Sequence, residues 1–295
     1  MCVSITNRAL SAVPPNQHLF ECIGSVSLAS LWAASDISKL PFVTTGTWCG
    51  SIVGNDAVIV ASELCSRELT ATCRLLNPTH EDVQRVRERM SRGAIIPIDQ
   101  QEGETSRSLC IENANGLRSW IHSRVPRPTG HLAPLNGNPI YVDYYPEFVA
   151  FLNQQNWKSF QRNRIIVVNI SAIVDFEAIP RLCFVPSVVQ ASLRDSVSTN
   201  DALILGGEIL KRTGADKVFV TVGRRGAILV TPQDSWSEEA PKIHHGPVLG
   251  AGAFFSAALL IGLANGLEPK LLLQSCVCDA SKRIQKRDEY ADHRP

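Results

Sequence analysis

The chain carries almost no excess of either charge: 29 lysines and arginines offset 28 aspartates and glutamates, leaving a formal net charge of +1. Without a basic surplus there is no electrostatic footprint for a polyanion, so nucleic acid is not an implied partner. Long hydrophobic runs are also missing. The longest, residues 253–264, is too short to cross a bilayer, and the opening MCVSITNRALSAVPPNQ has no continuous apolar region of the signal-peptide kind. The expectation is a cytoplasmic chain without a membrane partner. A disulfide framework is not expected either, because nine cysteines are an odd number and most sit in apolar segments, where a thiol packs as a small hydrophobe. Cys276 and Cys278 form a C-x-C pair with no nearby histidine pair to complete four zinc ligands, so no metal site is expected from them. Neither G-x-x-x-x-G-K-[ST] nor G-x-G-x-x-G occurs, which removes two common phosphate-binding loops.

What is present belongs to a globular domain. The 295 residues are 44% hydrophobic and 19% charged, enough for one large core. After a loose tail over residues 1–18, LFECIGSVSLA reads as one strand and NDAVIVASELCS as a helix. ELTATCRLL reads as a strand, and HEDVQRVRERM as a polar-faced helix that Asn77 or Thr79 can cap. SRSLCIEN and LRSWIHS read as a hairpin, which a parallel core does not need and which suits a lid. Lid strands are expected from about 36–48, 68–76 and 105–124. The Pro- and Gly-rich VPRPTGHLAPLNGNP then returns the chain to the core. Beyond it the short apolar runs IYVD, RIIVVNI, LCFV, KVFVTV and GAILVT alternate with helical patterns, and two long helical patterns start at Ala251 and Glu268. Such alternation predicts a parallel sheet between two helical layers. Residues 19–295 are expected to form a single domain. Asn169-Ile170-Ser171 fits a glycan acceptor pattern, but it ends a buried-looking strand and is set aside.

Two glycine motifs stand out. VTVGRRGAILV is a strand, a Gly-x-x-Gly turn and a second strand, and LGAGAFFSAALLIGLANG runs a Gly250-Ala251-Gly252 turn straight into an apolar helix. Unpaired amides at a helix N-terminus point one way, and the helix dipole favours an anion there. Together with IGSVSLA and CGSIVGNDAVIVASEL, these segments resemble the PfkB family of carbohydrate and nucleoside kinases, over nearly the whole chain from about Glu21. The resemblance implies a ribokinase-like three-layer α/β/α sandwich with a mostly parallel central sheet and a small β lid. It implies ATP and Mg2+ as cofactors, a sugar or nucleoside-like substrate, and a homodimer contact through the lid. It assigns Gly250, Ala251 and Gly252 to an anion hole, and Thr221, Gly223, Arg224 and Gly226 to the nucleotide side.

The chain departs from the family where proton chemistry belongs. The family signature Asp-Thr-x-Gly-Ala-Gly-Asp aligns with residues 247–253, and its final aspartate, the general base, is Ala253 here. General-base catalysis is typically worth about 10²- to 10⁴-fold, so a chain without it is hardly a competent kinase. The family's first strand continues Gly-x-x-x-x-Asp, the aspartate holding sugar hydroxyls, and Ala29 stands at that place. A methyl group accepts no hydrogen bond. The family's Gly-Gly turn with its asparagine corresponds to CGSIVGN, with Gly50 and Asn55 assigned to the substrate pocket, and its Asn-x-x-Glu magnesium-water motif corresponds to SVVQ, Ser187 to Gln190.

Other groups are candidates for the missing roles. Asp143 ends the strand IYVD, at the end where open α/β sheets bind ligands, and it equally suits the start of the next helix with Pro146 and Glu147. His244 and His245 precede the glycine turn and match solvated surface histidines better than a relocated base. Trp120, Tyr141, Tyr144 and Tyr145 suit either ring stacking or core packing. Three readings follow: a degenerate family member with phosphorylation impaired or lost and a sensing or scaffold role, an active kinase with a relocated base such as Asp143 or His245, and a kinase whose aspartates were exchanged for Ala253 and Ala29.

Overall fold

The computed structural model describes residues 19–34, 46–53, 55–90, 93–99, 106–113, 118–122, 128, 130–146, 148–160, 164–172, 179, 181–193, 197–242 and 250–291. The chain runs β1 (Leu19–Ser25), β2 (Leu28–Ala34), β3 (Gly46–Val53), α1 (Asp56–Ser66), β4 (Thr70–Leu76), α2 (His80–Arg89) and β5 (Ala94–Ile98). There follow β6 (Arg107–Asn113), β7 (Arg118–His122), β8 (Ile140–Asp143), α3 (Val149–Gln154), α4 (Trp157–Phe160), β9 (Ile166–Ala172) and β10 (Val188–Ser192). The last third holds α5 (Thr199–Thr213), β11 (Lys217–Thr221), β12 (Ala227–Val230), β13 (Ser235–Glu238), α6 (Ala251–Ala264) and α7 (Pro269–Ala291).

Nine strands form one sheet in the order β13-β12-β11-β10-β9-β8-β1-β4-β5. All its pairings are parallel except β11 with β12 and β12 with β13. Parallel strands need both faces covered, and the apolar residues divide accordingly. Phe20, Cys22, Cys73, Tyr141, Val167, Val188 and Phe219 face a layer containing α1, α6 and α7. Ile23, Ile140, Val142, Val168, Val189 and Val220 face the layer of α3, α4 and α5. This is the expected mostly parallel α/β/α sandwich. A second sheet, β3-β2-β6-β7, has the size of the expected lid. No described helix is long and apolar enough to cross a membrane.

Three expectations are corrected. LFECIGSVSLA is not one strand: it splits after Ser25, β1 staying in the large sheet and β2 leaving for the small one. Residues 68–76 supply no lid strand, because β4 pairs in parallel with β1 and β5 and is buried along its length after Thr70. The small sheet takes β2 instead, together with β3, β6 and β7, while residues 35–45 lie outside the described residues. LCFV is irregular, since Phe184 stacks on Trp157 with ring centroids 4.2 Å apart, and the strand begins only at Val188.

Local sequence explains most helix ends. Thr79 and Asp82 form a reciprocal capping box at α2, and Ser198 accepts from the Asp201 amide at α5, which ends on left-handed Gly214. The segment 130–139, returning from the small sheet, is held by a buried ion pair. Glu21 of β1 and Arg74 of β4 are 1% and 3% exposed, with Nε and Oε2 3.0 Å apart. Arg74 also donates to the Pro134 carbonyl at 2.8 Å, and Glu21 accepts the Asn136 amide at 2.8 Å. Removing one partner of a buried pair strands the other charge. Arg74→Met is therefore expected to cost about 3–5 kcal/mol in urea unfolding, with the Glu21→Leu/Arg74→Met double variant recovering most of it. A single-variant loss below about 1 kcal/mol would show that the pair does not hold the segment.

Candidate ligand site at the carboxyl ends of the strands

Side chains alternate along a strand, so Tyr141 and Asp143 of β8, Asn169 of β9 and Gln190 of β10 all point toward the α1 and α6 layer. The register places Asp143 beside Asn169, and Asn169 beside Gln190. The result is a row of three polar side chains across the sheet, 0%, 2% and 1% exposed. Buried polar groups need partners, and each member of the row finds one in a helix or a neighbour. Asp143 Oδ2 accepts the Ala57 amide at 2.8 Å. Asn169 Nδ2 donates to Asp56 Oδ2 at 2.9 Å and to the Tyr141 hydroxyl at 2.8 Å. Gln190 donates to the Gly252 carbonyl at 3.3 Å and accepts from Ser256 Oγ at 2.7 Å.

The first turn of α1 is thus capped from across the sheet. Its own N-cap residue, Asn55, makes no side-chain cap, because that amide accepts from Ser27 Oγ at 2.8 Å and donates to Ser25 Oγ at 2.5 Å. Asp143 supplies the missing acceptor. Its neighbour Asp56, half-buried, also accepts from the Tyr145 hydroxyl at 2.8 Å. Burial raises the pKa of Asp143 well above the usual carboxylate range, and the charge of Asp56 pushes it further. Asp56 is raised too, chiefly by burial, against the hydrogen bonds from Tyr145 and Asn169. Asp143 Oδ1 has no hydrogen-bond partner. Gly24 leaves room for this arrangement, since a Cβ there would overlap Asp143 and Ala57.

At α6, Gly250 is left-handed with φ 88°, and the first intrahelical bond runs from the Phe254 amide to the Gly250 carbonyl at 3.1 Å. The amides before Phe254 have no acceptor within the helix. A Cβ built on Gly252 would meet no atom of the described residues within 4 Å. Ala253, in contrast, is fully buried.

The residues expected from the sequence distribute over these elements. Ala29 and Gly50 lie on β2 and β3 of the small sheet, with Ala29 buried, and Asn55 sits at the start of α1. Asp143 does not begin the next helix; it caps α1 instead. Thr221 ends β11, where its Oγ1 lies 2.9 Å from Ser192 Oγ. Gly223, with φ 49°, and Arg224 form an exposed turn, and Arg225 donates to the Val197 carbonyl at 3.0 Å. Gly226 has a packing reason of its own, since a Cβ would overlap the Glu238 backbone. Gly262 likewise permits close approach, to Leu272 of α7. Tyr141 and Tyr144 are core residues. His244, His245 and residues 247–249 lie outside the described residues, as does the Trp120 side chain. Ser187 and Gln190 do not present a strand-end motif: Ser187 accepts the Ile166 amide at 3.2 Å, and Gln190 is spent on α6. Sequence reasoning missed Asp56, Asn169 and the true place of Gln190. For Asn169 and Gln190 the signal was the polar residue closing the runs VVN and VVQ, as Asp143 closes YVD; Asp56 had no such signal. A separate cavity of about 340 Å³, lined by Asp216, Lys217, Asp234 and Trp236 among others, opens at the amino-terminal end of β11, away from this site.

No protein-family model matches the chain, and no curated protein matches it. Solved structures do. Ribokinase from Cryptococcus neoformans var. grubii serotype A, in complex with ADP, is 15% identical, with 91% of this chain and 93% of that chain covered at a TM-score of 0.68. The nucleoside kinase of Methanocaldococcus jannaschii is 13% identical, with 94% and 99% covered at 0.64. Phosphofructokinase-2 from Escherichia coli, in complex with fructose-6-phosphate, is 15% identical, with 92% and 98% covered at 0.61. The fold is therefore ribokinase-like along nearly the whole chain.

The raised carboxyls make stability depend on pH. Their folded pKa values exceed the ordinary carboxylate value of about 4, so the contribution is fully present below that value and is lost as pH rises through the folded ones. Melting temperature is expected to fall between weakly acidic and alkaline pH, and Asp143→Asn is expected to flatten that decline. Parallel wild-type and variant profiles would contradict the assignment.

Proposed function

We propose that this chain is a PfkB-type carbohydrate kinase-like protein that retains a phosphate seat at the start of α6 and a pocket for a sugar or nucleoside-like molecule. ATP-dependent phosphorylation of a hydroxyl is impaired or lost. The observation that carries this reading is the pairing at α6: among the described residues no atom crowds Gly252, while residue 253, where the family places its proton acceptor, is a buried alanine. Amides with no acceptor inside the helix, at the start of its 14 residues, favour an anion whether or not chemistry follows. Magnesium would arrive with the triphosphate, as it commonly does where phosphates supply most of its ligands. The exposed Arg224 and the Thr221 hydroxyl lie on the turn and strand that the resemblance gives to the nucleotide. The small sheet, Asn55 and the Asp56 region would hold the second molecule. The remaining role in the cytoplasm is sensing or regulation of a partner.

A second reading is favoured by Asp56. It is half-buried at the ligand end of the sheet, oriented by Tyr145 and Asn169, and its raised pKa suits a proton acceptor. Asp143, by comparison, is sealed beneath α1. In this reading Asp56 takes the acceptor hydroxyl's proton as that oxygen attacks the terminal phosphorus of a nucleoside triphosphate, and the diphosphate leaves.

The two readings separate in one set of assays. MgATP is expected to raise the melting temperature, because a ligand that binds the folded state stabilises it. Turnover with a broad panel of alcohols is expected to be slow or absent and to rise about 10²-fold or more in Ala253→Asp. Alcohol-dependent turnover in the natural chain that disappears in Asp56→Asn would replace the first reading with the second. Absence of any MgATP shift would remove both.

We propose a homodimer contact on the less buried face of the small sheet. Ala29, Ser108 and Cys110 are buried on one face, while Leu28, Leu109 and Ile111 on the other are only half-covered. Sedimentation is expected to give a dimer that Ile111→Glu converts to monomer; a monomeric natural chain would rule this contact out.

A further inference from the structure

We infer that Gln190 is the positioning residue of the α6 turn: from the middle of the sheet it sets the height and rotation of the backbone that would grip the anion. This rests on the reading of that turn as a phosphate seat and goes beyond it by naming what holds the seat in place.

Three observations converge. Gln190 is 1% exposed in a strand flanked by β9 and β11, so its own backbone is fixed by ladders on both sides. Its side chain crosses to α6 and uses both ends of the amide there, Nε2 to the Gly252 carbonyl at 3.3 Å and Oε1 from Ser256 Oγ at 2.7 Å. The hydroxyl of Ser256 also lies 2.8 Å from the same Gly252 carbonyl, so its one hydrogen is shared between that oxygen and Gln190 Oε1 and ties the two together. That carbonyl belongs to the glycine at which an added Cβ would meet no described atom within 4 Å.

The consequence is geometric. Gly252 brings no side chain to fix its orientation, and the amides ahead of Phe254 lack intrahelical partners. A helix end so composed frays unless something pins it. An aliphatic residue at 190 would fill the same volume and leave the carbonyl with its helical partner and the Ser256 hydroxyl, both from α6 itself, so that nothing from the sheet fixes it. A glutamate would keep the acceptor for Ser256 but place negative charge against the Gly252 carbonyl. Gln190 is thus explained by what it does to α6 and not by any contact with ligand.

The test uses Gln190→Met, which preserves volume, with Ser256→Ala as a second variant should the first fold poorly. Two readouts are made on the full chain: hydrogen exchange of the amides of residues 254–257, and affinity for MgATP and for inorganic pyrophosphate by calorimetry. Gln190→Met is expected to speed exchange in that first turn about tenfold while residues 258–264 stay protected, and to weaken both ligands about tenfold. Ser256→Ala, in combination with Gln190→Met, is expected to be non-additive, because both act on one carbonyl. Gln190→Glu is expected to lie nearer Gln190→Met than the natural chain, a distinction that simple loss of packing would not produce. Unchanged exchange overturns the inference, as does faster exchange with unaltered affinity. If the natural chain binds neither ligand, the phosphate reading fails, and the exchange data alone decide whether Gln190 pins the turn.

Discussion

Asn169 is the group on which the carboxyl-terminal end of the sheet depends. It sits between Asp143 and Gln190 in register and donates one amide hydrogen toward α1, to Asp56, and the other to the Tyr141 hydroxyl. A neutral donor in that position lets a buried carboxyl, Asp143, and a half-buried one, Asp56, stand close together with no basic partner among the described residues. Its neighbours then reach outward, Asp143 to the first turn of α1 and Gln190 to the first turn of α6. The start of each helix is docked on the sheet by a side chain from a different strand. Buried polar networks rigidify their surroundings where their members are partnered, and here Asp143 Oδ1 is the atom left without a hydrogen bond.

That arrangement separates two chemical environments within one edge of the sheet. Around α1 the half-buried polar groups are the Asp56 carboxyl, the Tyr145 hydroxyl and the Asn55 amide, with Ser25 and Ser27 buried behind Asn55. Around α6 they are backbone amides with no carboxylate at residue 253. A molecule with a phosphate at one end and hydroxyls at the other matches this polarity. The difference between holding such a molecule and reacting with it rests on where a proton acceptor sits, and the two carboxyls with raised pKa are both on the α1 side.

Much of the fold was legible. Short apolar runs alternating with helical patterns announce a parallel sheet, and Thr79, Ser198 and Gly214 mark helix ends through purely local chemistry. Partner choice was not local. ELTATCRLL has the composition of a strand but says nothing of which sheet it joins, and its burial on both faces beside β1 came only with the assembled core. LFECIGSVSLA hid a change of sheet between Ser25 and Leu28, since nothing in those small residues distinguishes a bend from a continuing strand. The candidate site was readable at its glycines and unreadable at its buried polar groups. SVVQ matched a motif by spacing, yet Gln190 lies inside the strand and not beyond its end.

The sequence by itself determined the alternation of elements, the position of the glycine turn before α6, and the absence of a carboxylate at residues 29 and 253, because these follow from residue identity and short-range periodicity. Only the tertiary structure decided that Asp143 caps α1, that Asp56 joins it, and that Gln190 holds Gly252. The hydrogen bonds that do so join residues 86, 113 and 62 positions apart, and side-chain direction across neighbouring strands is fixed only when the strands have taken their register.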